Sequence, residues 1–419
     1  AFKLSERNAW MDLWKLRLSW ANVGNDTSPY QLASTYALTS FDGSFALPGT
    51  LANPLIKPEN VESWEAGMEV RFFQNRLGLD AAVYNSSTTN QIVSATLDNI
   101  SGATSLKINA GEIRNRGIEL SAHFVPVRTR DFEWSIDVNW AKNWNKLVSL
   151  QDGWDPSEPI LSGMTSIGGQ VLVNSYVGRE MNIIYGKGYQ RAPEGAYYLD
   201  ENGQKVDCSG MKLVNASNGY PELDIYPDRE IGKVSPDWTG GFNMRFRYKD
   251  FSLGATFTAQ MGGHCYSLTH FSLAYQGKLK DSLEGRQDGL VVEGVNPITN
   301  PDGSISYQKN TTVTQSIVEY YRDYVYDRKN VEENTFSTSF LKMKELRLDY
   351  SLPRKICQRT RILKSASIGA YATNLFCISD WPQFDPETGN LSGSSIYRGI
   401  ETLAFPMTRT YGINVKLAF

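Results

Sequence analysis

His264, Cys265 and His270 share one short stretch, GGHCYSLTH, and with His123 they include every histidine of the chain. Imidazole and thiolate are ligands for zinc and softer metals. Three such donors without a neighbouring fourth fall short of a structural site, so an ordinary loop is the expected reading. DENGQKVD at 200–207 gathers oxygen donors around Gly203 but lacks the spacing of a calcium loop, and reads as an acidic turn. Asp385 and Glu387 form a carboxylate pair of the kind used in glycoside hydrolysis. YGKGYQ lacks the Lys-Ser/Thr end of a phosphate cradle, and no G-x-S-x-G, H-E-x-x-H or P-loop occurs. RKICQRTRILK, at 354–364, carries five basic residues and no acid. A solvated basic turn is expected there, with lipid headgroup contact as the lesser alternative. The aromatics Trp154, Tyr185, Tyr189, Tyr197, Tyr198 and Trp381 have two readings. They stack on sugar rings or peptide side chains, or they pack long loops together or line a contact with a partner. No cofactor and no catalytic constellation is indicated, so an enzyme is not expected.

The elements that carry these residues are strands. RTYGINVKLAF ends the chain in period-two alternation, with Tyr411, Ile413, Val415, Leu417 and Phe419 on one side. FEWSIDVNW sets Phe132, Trp134, Ile136, Val138 and Trp140 against Glu133, Ser135, Asp137 and Asn139. The same pattern recurs in WKLRLSW, WEAGMEVRF, LGLDAAVY, RGIELSAHF, WTGGFNMRFRY, FSLGATFT, ELRLDY and, less cleanly, ASIGAYATN, which makes about ten strands. Short turns are expected at 74–76, 126–131 and 249–250, and a moderate one at 352–365. Long links are expected at 22–60, 88–113, 146–236, 261–338 and 376–407.

Composition agrees with strands that face lipid. The 419 residues carry 42 basic and 45 acidic side chains, a net charge of −3, so no strong field points to nucleic acid. Hydrophobic residues are 41% and no run reaches the length of a membrane helix. Aromatics reach 12%, with 22 Tyr and 10 Trp. Hidden alternating hydrophobicity with aromatic girdles fits an outer-membrane β-barrel, as does the alternation of short periplasmic turns with long extracellular loops. A carbohydrate-binding sandwich also fits the composition. Cys208, Cys265, Cys357 and Cys377 allow three pairings, and the sequence does not choose among them. The opening residues, AFKLSERNAW, carry no signal peptide. An exported protein would then have lost its start, or the chain is a piece of something longer.

Six segments, in order, resemble the SusC-like branch of TonB-dependent outer-membrane transporters. They are IKPENVESWEAGMEVRFFQNRLGLDAAVYN (56–85), NAGEIRNRGIEL (109–120), SPDWTGGFNMRFRYKDFSLGATF (235–257), FLKMKELRLDYSLP (340–353), ATNLF with DPE (372–376 and 385–387), and FPMTRTYGINVKLAF (405–419). The resemblance implies an all-β fold, here the C-terminal part of a 22-stranded plugged barrel spanning 1–419, with the plug domain and earlier strands absent from this chain. It implies nutrient import, of an oligosaccharide or a peptide, across a Gram-negative outer membrane. It implies a SusD-like surface lipoprotein, the TonB-ExbB-ExbD system acting through the missing part, the remainder of the transporter and outer-membrane lipid as partners, and allows a dimeric SusC2D2 assembly. The terminal Tyr411, Ile413, Val415, Leu417 and Phe419 resemble a membrane-insertion signal, and DPE becomes a structural loop segment. Substrate-contacting residues are not assigned. The alternatives are a complete small barrel acting as enzyme or adhesin, and a secreted glycan-binding β-protein.

Overall fold

A computed structural model describes residues 10–26, 32–38, 43–46, 48–97, 100, 102–103, 105–109, 111–150, 155–157, 159–164, 171–360, 362–383, 385–387, 399–401, 403 and 405–419. Ten long strands form one sheet: β1 (Met11–Asn25), β2 (Glu59–Phe72), β3 (Leu77–Thr89), β4 (Glu112–Arg128), β5 (Phe132–Ser149), β6 (Trp238–Tyr248), β7 (Phe251–Met261), β8 (Phe340–Ser351), β9 (Ser365–Ser379) and β10 (Thr410–Ala418). Each pairs antiparallel with its neighbours in chain order. β1 and β10 are the two edges, and among the described residues no pair joins them. Among the described residues the ten strands do not close into the barrel of the alternative reading.

Register explains why the alternation matters. Val138 on β5 faces Ala122 on β4 and Phe242 on β6, and Phe242 faces Phe257 on β7. Apolar residues therefore meet apolar residues row after row, and one sheet face is continuous in hydrocarbon. That face stays open, with Leu18, Ile413 and Val415 at least 60% exposed. So large an exposed apolar surface demands a covering medium. Aromatic pairs mark both of its margins. Phe251 and Tyr350 lie 4.6 Å apart beside the short turns, and Trp20 and Trp64 lie 6.0 Å apart at the other end.

The expected alternation of short and long connections is observed. The moderate 352–365 connection holds a short helix, Arg354–Arg359, which strand patterning had no means to register. The long connections carry structure of their own and hold the core. Val171, Val173, Ile184 and Val234 of the 150–237 connection pack on Tyr266, Leu268, Phe271 and Val331 of the 262–339 connection. A second cluster joins Ala192, Ala196 and Cys208 to Val295. Strand His264–Ser267 pairs with Thr335–Ser337 and with Ile400–Glu401, so the 380–409 connection joins the same assembly.

Candidate functional site

Two surfaces carry the charged and polar groups: the second face of the sheet and the excursion assembly above it. On the sheet, Arg17 of β1 reaches across β2 and donates both guanidinium arms to Asp80 of β3, at 2.7 and 2.6 Å. Gly67 of β2 makes this reach possible, since a Cβ there would stand 2.8 Å from the Arg17 Nη2. Glu69 accepts from Arg71 at 2.8 Å, and His123 bonds Asp137 at 2.6 Å. Glu133 accepts from Arg128 at 3.0 Å and lies 3.6 Å from Arg247. Glu65, Glu119 and Arg245 stand on the same face. A concavity of about 750 Å³ runs over this surface between Arg71, Asp80, His123, Asp137 and Asn243. Partly exposed pairs of this kind contribute about 0.2–1 kcal/mol each. Their arrangement suits a hydrated, mixed-charge wall.

Two pairs of segments, separate in the sequence, meet where excursions leave the wall. The buried Asn109 accepts from Lys57 N at 2.9 Å and donates to Lys57 O at 2.8 Å and Asn90 O at 2.7 Å. K-P-E at 57–59 and N-A-G at 109–111 are thus tied together. Gly111 sits so close to β5 that a Cβ would stand 2.2 Å from Ser149 O. The second meeting is ionic. Lys342 of β8, 1% exposed, donates to Asp385 and, at 2.9 Å, to Glu387. Lys344 also donates to Glu387. The register skips Lys344 against both β7 and β9, so this lysine is the extra residue of a bulge and is re-aimed at the loop. Asp385 and Glu387 are spent on lysines, which matches the structural role expected for DPE.

The excursions are joined by buried polar contacts. Glu401 accepts from Ser267 Oγ at 2.9 Å, Thr269 N at 3.1 Å and Thr269 Oγ1 at 2.6 Å, at the start of α1 (Leu268–Tyr275). His270 on α1 bonds Asn334 through Nδ1 at 3.1 Å and packs edge-on against Tyr326 and Phe336. The buried Tyr189 hydroxyl donates to Glu333 at 2.9 Å, and burial pushes its pKa well above the ordinary tyrosine range. The metal-like stretch is thereby dispersed: Cys265 is buried on its strand, and His270 is occupied by Asn334 and the rings. DENGQKVD closes a hairpin in which Asp200 Oδ1 accepts from Asn202 N at 2.9 Å and Gln204 N at 2.7 Å, an acidic turn as expected. No disulfide joins Cys208, Cys265, Cys357 and Cys377.

Burial lowers the His270 pKa below its ordinary value, with Asn334, Glu333 and Asp281 opposing. The folded assembly therefore refuses a proton that the unfolded chain accepts at about pH 6.5. Stability from this site is complete above that pH and is lost as pH falls towards the depressed folded value. Hydrogen-exchange protection across 262–339, corrected for the intrinsic exchange rate at each pH, is expected to fall below about pH 6.5, and less so in His270→Gln. An equal fall in both proteins would remove His270 as the cause.

Of the loop aromatics, Tyr185, Tyr189 and Trp381 are buried and Tyr198 packs on a core cluster, so loop packing claims them. Tyr197 is 45% exposed beneath Lys205. Trp154 lies outside the described residues. Tyr411, Ile413, Val415 and Leu417 share the apolar face of β10, and Phe419 follows its last paired residue. Sequence reasoning missed Lys342, Lys344, Glu401 and Asn109. One signal was available: Lys344 and Glu345 are consecutive polar residues that break the alternation, as a bulge does.

A family model described as TonB dependent receptor-like, beta-barrel matches residues 6–314. TonB-dependent receptor P3 of Formosa agariphila is 29% identical over 422 residues, covering 96% of this chain and 39% of that protein. TonB-dependent receptor SusC of Bacteroides thetaiotaomicron is 24% identical over 440 residues, covering 99% and 38% respectively. Among solved structures, the RagAB peptide importer in its closed-closed state shares the fold, with a TM-score of 0.70 at 19% identity, over 100% of this chain and 42% of that one. The chain spans about two fifths of the length of the curated relatives it matches. With its ten-strand meander and two-faced wall, the chain belongs to the TonB-dependent receptor-like β-barrel family.

Proposed function

We propose that this chain forms part of the wall, and much of the outward loop surface, of a SusC-like nutrient importer in a Gram-negative outer membrane. The observation that carries this reading is the open sheet, apolar on one side and charged on the other, with both edges unpaired among the described residues. An open edge in hydrocarbon leaves N–H and C=O groups unsatisfied, at several kcal/mol each. β1 and β10 therefore pair with strands outside residues 1–419, in a wider barrel whose lumen carries a plug. The apolar face meets lipid and the charged face meets the lumen. The excursion assembly meets substrate, an oligosaccharide or a peptide, together with a SusD-like lipoprotein. The TonB-ExbB-ExbD system supplies the energy through the plug-bearing part, and two such pairs assemble as a dimer. The chain holds no catalytic residue in this scheme. The test is native mass spectrometry of the complex from outer membranes, with uptake of labelled oligosaccharide and peptide pools. A larger barrel with a lipoprotein partner and TonB-dependent uptake is expected. A soluble chain, or a self-contained barrel of this mass, would refute the reading.

Tyr411, Ile413, Val415, Leu417 and Phe419 act in this reading as the signal for membrane insertion. Deleting Phe419 is expected to lower the amount of assembled transporter at the cell surface, while uptake per assembled molecule is unchanged. Surface labelling at wild-type levels would count against the signal.

A further inference from the structure

The helix α2 (Arg354–Arg359) lies where β8 turns into β9, on the same margin as the Phe251–Tyr350 pair. Its one buried residue is Cys357, 1% exposed, whose thiol points back to Leu352 O at 3.9 Å. Thr360 closes the turn, accepting from Leu363 N at 3.1 Å and donating to Cys357 O at 2.6 Å. Ala366 shows which side of the wall the turn covers. It pairs with Leu417 and so belongs to the apolar face. Ala366 is only 6% exposed, whereas Ile368 and Leu417 beside it are 47% and 52% exposed. Ala370, an equally small residue on that face, is also exposed. The helix therefore folds over the apolar margin.

What the turn presents outward is two-natured. Ile356 and Ile362 are 48% and 68% exposed. Between and beside them Arg354, Lys355, Arg359 and Lys364 are all exposed. No acid occurs from 352 to 366, and none of these four cations has an ion-pair partner among the described residues. The remaining wall cations are mostly paired: Arg17, Arg71, Arg128, Arg247 and Arg347 each have a carboxylate within 4.0 Å. A solvated turn gains nothing from two exposed isoleucines. An interfacial segment uses them, because apolar side chains enter the acyl boundary while cations meet phosphates.

We propose that α2 and Lys364 form a docking surface for anionic phospholipid headgroups at the inner boundary of the membrane. This rests on the membrane reading of the wall. The occupant follows from charge complementarity: unpaired cations at a hydrocarbon margin fit lipid phosphates carrying net negative charge. A zwitterionic headgroup gives them no net attraction. Each cation near an anionic surface favours binding by about fivefold, and salt weakens the effect.

The test uses the complete transporter in nanodiscs of phosphatidylcholine with and without phosphatidylglycerol. Retained lipid is counted by native mass spectrometry. The variant Arg354→Gln/Lys355→Gln/Arg359→Gln/Lys364→Gln is compared with Lys278→Gln/Lys280→Gln/Lys309→Gln, which removes exposed cations from the excursions instead. Wild type and the excursion variant are expected to retain phosphatidylglycerol over phosphatidylcholine. The helix variant is expected to lose that preference by about fivefold or more, with insertion and fold unchanged. Equal retention by the helix variant, or no preference in the wild type, would overturn the proposal while leaving the membrane reading intact. Failure of the wild type to enter any bilayer would overturn the membrane reading itself.

Discussion

Lys342→Met is expected to destabilise the protein by about 3–5 kcal/mol. Lys342 is 1% exposed and serves two carboxylates, one of them the 6% exposed Asp385. Methionine fills similar volume, so little of the cost is a cavity. The cost comes from leaving the Asp385 charge buried with its lysine partner removed, because a low-dielectric site gives it no water in exchange. Lys344 still reaches Glu387, so the damage centres on Asp385. Replacing both partners, as Lys342→Met/Asp385→Leu, removes the buried carboxylate along with its lysine and is expected to recover much of the loss. Thermal unfolding in detergent measures all three proteins. The ion cluster would be unimportant if the single variant lost less than about 1 kcal/mol, or if the double variant were no better than the single. Proteolysis at the 380–409 connection gives a second reading, since these contacts hold that connection to β8.

Ile136→Arg carries the next largest effect. Ile136 pairs with Phe124 and Met244, well inside the apolar band. A charged side chain on the lipid face costs about 2–4 kcal/mol near the midplane and less towards the margins. Asp137 is one residue away on the other face, where it bonds His123 and keeps a 62% exposed side chain. Asp137→Asn is expected to cost under about 1 kcal/mol, as exposed pairs do. Folding in lipid vesicles should rank the two substitutions in that order. The reverse ranking would mean that the two faces have been exchanged.

Much of the fold is written locally. The strand period is two, so a sheet with unlike faces advertises every wall strand in its own few residues. FEWSIDVNW becomes the first half of β5, and WTGGFNMRFRY is β6 from end to end. Connection lengths follow at once, since whatever lies between two such runs must be turn or excursion. Patterning also separates the charged face from the apolar one, which is what the comparison of Ile136 with Asp137 uses. It says nothing of the excursions, whose core residues are drawn from segments far apart in the chain. Tyr185 and Tyr189 look like ligand-stacking aromatics when read alone, and only packing against other excursions buries them.

The sequence by itself therefore determined the strands, their two faces and the loop lengths, because each depends on near neighbours and a fixed backbone period. The tertiary structure decided which charges are buried. Lys342 and Asp385 are 43 residues apart, Asn109 and Lys57 are 52 apart, and Glu401 lies 134 residues from Ser267. Nothing in the residue types distinguishes these groups from solvated ones. Burial is a property of the space that several segments enclose together, and desolvation makes a pair matter only once that space has closed.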